Sequence, residues 1–159
     1  MTYITRATGF GESEGSVYSA AASTRRQPIL LLVADDDSIL EVLQPICDFL
    51  DIAVERIPSE HDLTDALTEC RPMGVVTELD CRGQDGYNVM ITVAKHDCNL
   101  PILLITGDEP ALVGAVDAIE ELFHLGSLAR SATLPGVGDL VNFIFTAGRR
   151  GRCIRMMPV

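Results

Sequence analysis

The sequence has few basic residues. Twelve Lys and Arg stand against 23 Asp and Glu, which gives a formal net charge of -11 and a pI near 4.5. Because nucleic acids are bound through basic faces, this balance excludes a nucleic-acid partner. No apolar run approaches the roughly 20 residues of a membrane-spanning helix, and the N-terminus lacks a signal-peptide pattern. We therefore expect a cytoplasmic protein with no membrane partner.

Cysteine is also sparse, and its spacing excludes the common metal and redox motifs. The five cysteines are scattered without a C-x-x-C pair, and the three histidines fall near no cysteine pair. An odd number of cysteines cannot be fully paired within one chain. The sequence therefore predicts free thiols and no zinc site.

What the chain does contain is enough apolar material for one globular domain. Of its 159 residues 47% are hydrophobic, and the mean hydropathy is +0.24. Residues 1–27 are rich in Gly, Ser, Thr and Ala and predict a flexible tail. Residues 148–159 carry four arginines and predict a basic tail, which is either solvated or bound to an acidic surface. The folded domain is expected over residues 28–147.

Strand and helix patterns alternate through that domain. Apolar runs predict strands at 28–34, 52–57, 74–79, 100–106 and 128–134. Helical spacing predicts helices at 39–50, at 87–96, at 111–123 and at 139–148, and a further helix that starts at Ser59 and Asp62. Strands separated by helices indicate an α/β fold with a parallel sheet and helices on both faces.

Acidic residues follow two of the predicted strands. Asp35, Asp36 and Asp37 come after the first strand, and Glu78 and Asp80 come at the end of the third. Ligands of such sheets bind at the carboxyl ends of the strands. Converging carboxylates repel one another unless a cation lies among them, and Mg²⁺ prefers oxygen ligands. The alternative is that these acids are helix caps and solvated loop residues, and Asp37 fits the cap position.

Over residues 28–147 the chain resembles the receiver domains of bacterial two-component response regulators. VADDDSIL is similar to the first-strand motif of that family, with Asp35 and Asp36 in the places of its acidic pair. In PMGVVTELDCRGQDG the acceptor place falls on Glu78, and Gly83-Gln84-Asp85-Gly86 is similar to the loop that follows. LPILLITG puts Thr106 at the position of the switch hydroxyl.

The resemblance implies a flavodoxin-like fold. This is a doubly wound (βα)5 arrangement whose five-stranded parallel sheet has the order 2-1-3-4-5. It also implies weak Mg²⁺ binding by the side chains of Asp35, Asp36 and Glu78 and by the backbone carbonyl of Asp80, with no other cofactor.

Two positions depart from the family pattern. The phosphoacceptor is Asp in the family and Glu78 here, and the Lys expected after the fifth strand is Leu134, or Thr133 if the register shifts by one. The only lysine is Lys95, on the third helix, and Arg130 is the candidate cationic substitute. Glu places its carboxylate roughly 1.5 Å further out, and a displacement of about 1 Å can cost on the order of a hundredfold in rate. Ordinary phosphotransfer is therefore not expected.

The charge of Glu78 leaves two interpretations open. Glu78 either mimics a phosphorylated acceptor or is a relic in a domain with one fixed conformation. A carboxylate carries one negative charge against roughly two for a phosphate, and Leu134 offers it no ammonium partner. A fixed conformation without a switch is the favoured interpretation.

The last predicted helix has an apolar face that is wider than a core-facing helix needs. Leu140, Phe143, Ile144 and Ala147 form the face, and Val141 and Phe145 extend it. We expect Val141 and Phe145 to form a partner surface. The alternative is that the C-terminal tail folds back over Phe145.

These features predict an atypical single-domain receiver, a pseudo-receiver, that signals by phosphorylation-independent protein contact and is not an enzyme. In the family the fourth helix, fifth strand and fifth helix form the usual partner face, which implies a histidine kinase, another regulator or an output protein as partner, or a homodimer. One alternative is a receiver that binds Mg²⁺ and accepts phosphate slowly. Another is a haloacid-dehalogenase-like phosphatase built on Asp35, Asp37 and Thr106, although the sequence lacks the Lys that such an enzyme needs.

Overall fold

The computed structural model describes residues 27–35, 37–57, 63–79 and 86–151, with only the backbone of residues 150 and 151. In this part of the chain five strands alternate with five helices. They are β1 (Ile29–Val33), α1 (Ser38–Phe49), β2 (Ala53–Arg56), α2 (Leu63–Cys70), β3 (Gly74–Glu78), α3 (Gly86–His96), β4 (Ile102–Ile105), α4 (Pro110–Leu122), β5 (Leu128–Ser131) and α5 (Val137–Gly151).

All described strands are parallel and form one sheet in the order β2-β1-β3-β4-β5. This confirms the predicted flavodoxin-like arrangement. The register pairs Leu32 with Arg56, Val33 with Thr77 and Glu78 with Ile105. The last residues of the strands therefore lie together at one edge of the sheet, which we call the carboxyl edge.

Two apolar layers enclose the sheet. On one face Leu30, Leu32, Val76 and Leu103 pack with α1 and α5, and on the other face alternate strand residues pack with α2, α3 and α4. Because helices cover both faces, the central strands are almost fully buried. This explains why they appear in the sequence as continuous apolar runs rather than as alternating patterns.

The ends of some elements differ from the predictions. β5 ends at Ser131, three residues before the predicted end, so Leu134 lies in the loop that follows it. α5 was expected over 139–148 and covers Val137–Gly151, with Gly138 and Gly148 inside it. Because α5 packs on the sheet through Leu140, Phe143, Ile144 and Ala147, tertiary burial outweighs the low helix propensity of these glycines.

Some predictions concern residues outside the described part of the chain. These are the N-terminal tail up to residue 26, the helix start signals Ser59 and Asp62, and the basic tail from residue 152. The predicted domain limits at 28 and 147 stay predictions, and α5 continues past 147. No helix among the described residues is both long and apolar enough to cross a membrane.

Candidate functional site

The carboxyl edge brings three of the predicted site residues together. Asp35 directly follows β1 and is exposed, Glu78 ends β3 and is half-buried, and Thr106 follows β4 and is buried. Since β1, β3 and β4 are neighbours in the sheet, these residues lie in that order along the edge. Asp36, Asp80 and the loop residues Gly83, Gln84 and Asp85 lie outside the described residues.

Gly86 brings the start of α3 against the backbone beside Glu78. Its N–H donates a hydrogen bond of 3.1 Å to the carbonyl oxygen of Leu79. A Cβ atom at this position would lie 2.5 Å from the Cα of Leu79 and 2.7 Å from the carbonyl oxygen of Glu78. Only glycine permits this approach. The close packing of α3 against the candidate site therefore explains why residue 86, the last position of the motif at residues 83–86, is glycine.

Arg56 places a cation at the same edge. Its guanidinium donates to the carbonyl oxygens of Ala34 at 3.2 Å and of Asp35 at 2.7 Å, and it also binds the carboxylate of Asp37. Asp37 occupies the N-cap position of α1, as predicted, but its side chain makes no capping hydrogen bond. The Asp37 carboxylate is bound to Arg56 instead. No sequence pattern marked Arg56 as part of the site.

A metal centre needs more ligands than the described residues supply. Among residues 27–35, 37–57, 63–79 and 86–151, no three His, Cys, Asp or Glu side chains lie together as metal ligands. Asp35 and Glu78 would require Asp36 or Asp80 to complete a set of oxygen ligands. The Mg²⁺ site stays a prediction.

The hydroxyl of Thr106 is directed at the main chain. It donates to the carbonyl oxygen of Gly107 at 3.0 Å, and the carbonyl oxygen of Ser131 lies 3.5 Å away. The N–H of Thr106 also donates to Ser131, at 2.8 Å. A hydroxyl has one proton to donate. In this conformation that proton is used by the main chain directly after β4.

No lysine approaches the phosphoacceptor position in the described structure. Leu134 lies in the loop after β5 and is 41% exposed. In the alternative register Thr133 accepts, through its carbonyl oxygen, a hydrogen bond of 2.7 Å from the Ser131 hydroxyl. Lys95 is near the C-terminal end of α3, about 14 Å along the helix from its start beside Glu78.

Arg130 does not replace the missing lysine. It is paired with Leu104 in the register, and its side chain projects towards α4. There it donates hydrogen bonds to the carboxylates of Asp117, at 2.5 Å, and of Glu120. Burial alone would lower the pKa of Arg130, but these hydrogen bonds and charges raise it above its ordinary value. The guanidinium is therefore bound to two carboxylates of α4.

Val141 and Phe145 lie on a different side of α5 from the one the family resemblance implies. They line a groove of about 630 Å³ between α1 and α5, which we call the α1–α5 groove. Its lining residues are Glu41, Val42, Pro45, Ile46, Phe49, Leu50, Val137, Val141 and Phe145. The α5 residues beside β5 do not include Val141 or Phe145; they are Asp139, Asn142, Phe143 and Thr146. That these two residues bind a partner stays a prediction, but α4 and β5 are not part of their surface.

The face formed by α4, β5 and α5 has its own concavity. A cavity of about 480 Å³ lies along β5, and its lining includes Ala129, Ser131, Asn142 and Thr146. β5 is the last strand of the described sheet, so its outer side has no neighbouring strand there. Free backbone groups at such an edge are available to a binding partner.

Comparison with known proteins points to the same fold. No protein-family model matches the chain. Over 112 residues it is 30% identical to the C4-dicarboxylate transport transcriptional regulatory protein DctD of Pseudomonas aeruginosa. The match covers 66% of this chain and 24% of DctD, so the chain spans about a quarter of that relative's length.

Solved structures of receiver proteins superpose on most of the chain. A response regulator receiver domain protein from Clostridium thermocellum gives a TM-score of 0.61 at 20% identity and covers 79% of this chain and 97% of its own. The chemotaxis response regulator CheY4 of Vibrio cholerae gives 0.60 at 16% identity and covers 77% and 99%. The chain therefore has the fold of response-regulator receiver domains. Nothing in these comparisons supports a haloacid-dehalogenase phosphatase.

Proposed function

We propose that this chain is an atypical receiver domain that acts in signal transduction through protein–protein contact, independently of phosphorylation. The receiver fold and the similarity to DctD support the signalling class. The residues at the carboxyl edge support a function that does not depend on phosphorylation. In this proposal the domain is a cytoplasmic binding module and not an enzyme.

The absence of a lysine after β5 is the observation that carries the proposal. A carboxylate that attacks a phosphohistidine gathers negative charge on the transferred phosphoryl oxygens, and fixed cations must stabilise that charge. Leu134 and Thr133 carry no charge, and Arg130 is bound to Asp117 and Glu120. The phosphoryl group would thus lack the charge-assisted hydrogen bond that a lysine at the end of β5 provides.

The nucleophile and the switch hydroxyl support the same conclusion. Glu78 extends one methylene further than Asp, so the distance from β3 to the attacking oxygen differs from the one that suits an Asp acceptor. The Thr106 hydroxyl is hydrogen-bonded to the main chain. Both features favour a domain that keeps one conformation.

The partner in this proposal is a protein: a histidine kinase, another regulator or an output protein. The α4–β5–α5 face supplies a free strand edge and a concavity for such a partner, or for a second copy in a homodimer. Nucleic acid and membrane are not partners in this proposal. The proposal also includes weak Mg²⁺ binding by Asp35, Asp36 and Glu78. A rise in melting temperature on addition of Mg²⁺ would support this part, provided that Asp36→Asn abolishes the rise.

The test is exposure to a small phosphodonor. The protein is incubated with acetyl phosphate and Mg²⁺, or with beryllofluoride and Mg²⁺, and then followed by intact mass and by amide NMR spectra. We expect no adduct, and no spectral change beyond the one that Mg²⁺ alone produces. A stoichiometric phosphoryl adduct at Glu78 would overturn the proposal.

A gain-of-function variant serves as the matched control. Glu78→Asp combined with Leu134→Lys restores both groups, and Glu78→Asp combined with Thr133→Lys tests the other register. We expect one of these double variants to form the adduct under the conditions in which the natural chain does not. If neither reacts, the two positions are not the cause of the inert site.

A further inference from the structure

The α1–α5 groove is an apolar surface that lacks a cover in the described structure. Of its nine lining residues Glu41 is the only charged one. Phe49 is 88% exposed and Val137 is 59% exposed at its two ends. Exposed aromatic and aliphatic side chains around one continuous groove indicate an interaction surface rather than scattered surface residues.

The polar groups at this groove are hydrogen-bond acceptors. Pro45 lies inside α1 and has no N–H, so the carbonyl oxygen of Glu41 lacks the helical donor that residue 45 would supply. The carboxylate of Glu41 is beside it, and the exposed Asp48 lies two turns further along α1. The groove therefore suits an occupant that combines apolar side chains with cationic N–H donors.

Residues 152–159 of this chain have that composition. The sequence RCIRMMPV contains the apolar residues Ile154, Met156, Met157 and Val159 and the cationic residues Arg152 and Arg155. It follows directly on α5, which forms one wall of the groove. Methionine side chains adapt readily to irregular apolar surfaces.

The reach of this segment matches the length of the groove. Every helix of the fold runs opposite to the parallel strands, so α1 and α5 point in the same direction. From Phe145 to its end at Gly151, α5 extends about 9 Å. From Leu50 to Glu41 the groove runs about 14 Å along α1. Eight extended residues span roughly 26 Å, which covers the return path of about 23 Å.

We propose that residues 152–159 fold back and occupy the α1–α5 groove. A second copy of the chain is a weaker candidate, since each copy carries a net charge of -11 and would bring Glu41 and Asp48 near further acidic surface. The arginines of the segment bring the opposite charge to those carboxylates. This inference concerns a different surface from the carboxyl edge and does not depend on the proposed function.

The absence of tryptophan from the chain gives a direct test. Phe49→Trp places a single tryptophan at the groove, and its emission maximum and acrylamide quenching report how well it is covered. The measurement is made on the full chain and on a chain that ends at Gly151. Leu122→Trp is the matched control, since Leu122 is 71% exposed on α4, in the opposite layer.

We expect the tryptophan at position 49 to be blue-shifted and protected from acrylamide in the full chain, and a severalfold rise in its quenching constant after truncation. The control tryptophan at position 122 should not respond. If position 49 is equally exposed in both chains, the proposal is wrong. Protection that depends on protein concentration and survives truncation would assign the groove to a second copy instead.

A full-length variant guards against loss of folding on truncation. In the Phe49→Trp background, Ile154→Asp, Met156→Asp and Met157→Asp together keep the length of the segment and remove its apolar character. This variant should expose the tryptophan as truncation does, with an unchanged far-UV circular dichroism spectrum. Continued protection in a folded variant would contradict the proposal.

Discussion

The guanidinium of Arg56 donates a hydrogen bond of 2.7 Å to the carbonyl oxygen of Asp35. Arg56 is the last residue of β2, the strand at one side of the sheet, and Asp35 begins the loop after β1. The same guanidinium also binds the carbonyl of Ala34 and the carboxylate of Asp37. One side chain therefore holds the loop that carries the candidate acids.

Replacing Arg56 with Lys should destabilise the domain. An ammonium group cannot reach three acceptors in the arrangement that the planar guanidinium holds. Because hydrogen bonds to a charged group contribute more than neutral ones, we expect a loss of about 1–2 kcal/mol in the free energy of unfolding. Urea unfolding followed by circular dichroism measures it.

Asp37→Asn is the matched control for this substitution. It removes the charge of the exposed ion pair and leaves the contacts of Arg56 with the two carbonyls. Exposed ion pairs contribute about 0–1 kcal/mol, so its effect should be the smaller one. If Asp37→Asn costs as much as Arg56→Lys, the ion pair rather than the backbone contacts stabilises the loop.

Gly86→Ala should destabilise the domain by about 1–3 kcal/mol, the range expected when an added methyl group is forced into a well-packed site. Its Cβ would lie 2.5 Å from the Cα of Leu79. Gly114→Ala in α4 is the control, because a Cβ there meets no atom within 4 Å. That change should stabilise the domain by roughly 0.5–1 kcal/mol through helix propensity. Equal effects of the two substitutions in thermal or urea unfolding would refute the close approach at Gly86.

Glu78→Gln distinguishes a phosphate mimic from a relic. If the negative charge held the domain in an active-like state, its removal would alter Thr106 and β5, with a coupling of typically about 1–3 kcal/mol. We expect the relic outcome, because the Thr106 hydroxyl already donates to the main chain and no lysine connects β5 to Glu78. Amide NMR shifts should change only around residue 78. Shift changes that extend through β4, β5 and α4 would identify a mimic.

The thiol of Cys47 should make stability fall at alkaline pH. Burial in the core, and to a lesser extent the charge of Asp48, raises the pKa of Cys47 from 9.0 to about 11. Below pH 9 the thiol is protonated in both the folded and the unfolded chain, so its contribution is fully present. Between pH 9 and 11 the unfolded chain ionises first, and stability falls by up to about 1.4 kcal/mol per pH unit.

A Cys47→Ala variant isolates this contribution. Its free energy of unfolding should depend less steeply on pH between 9 and 11 than that of the natural chain, whatever its absolute stability. Identical slopes would show that Cys47 does not titrate in this range. The remaining cysteines are the same in both proteins and cancel in the comparison.

Much of the fold followed from the sequence because burial on both faces leaves a clear signal. The runs that became β1, β3 and β4 are continuous and apolar, and the helices between them keep helical spacing. The places of Asp35, Glu78 and Thr106 followed as well, since the ends of parallel strands share an edge. Both kinds of prediction rest on local sequence patterns and on the order of the strands in the sheet.

The rest of the site depends on contacts between segments that are far apart in the sequence. Arg56 reaches the β1 loop across the sheet, and Arg130 turns to α4 because of its register with Leu104. Helical spacing showed that Val141 and Phe145 widen the apolar stripe of α5. It could not show that α1, rather than β5, lies beside them, because that depends on how α5 is rotated on the sheet.

The contacts of Arg130 also bear on how the native structure opens. A strand at the side of a sheet commonly exchanges its amide protons early, through local opening. Here Arg130 joins β5 to α4, and the hydroxyl of Tyr87 on α3 donates to the carbonyl of Leu112 on α4 at 3.1 Å. Fraying of β5 therefore breaks the ion pairs that attach it to α4, and α4 is in turn attached to α3. The part of the sheet formed by β4 and β5 should accordingly open as one cooperative unit in native-state hydrogen exchange. Its slowest amides should lie in β4, and protection should not be lost gradually from the outer strand inward.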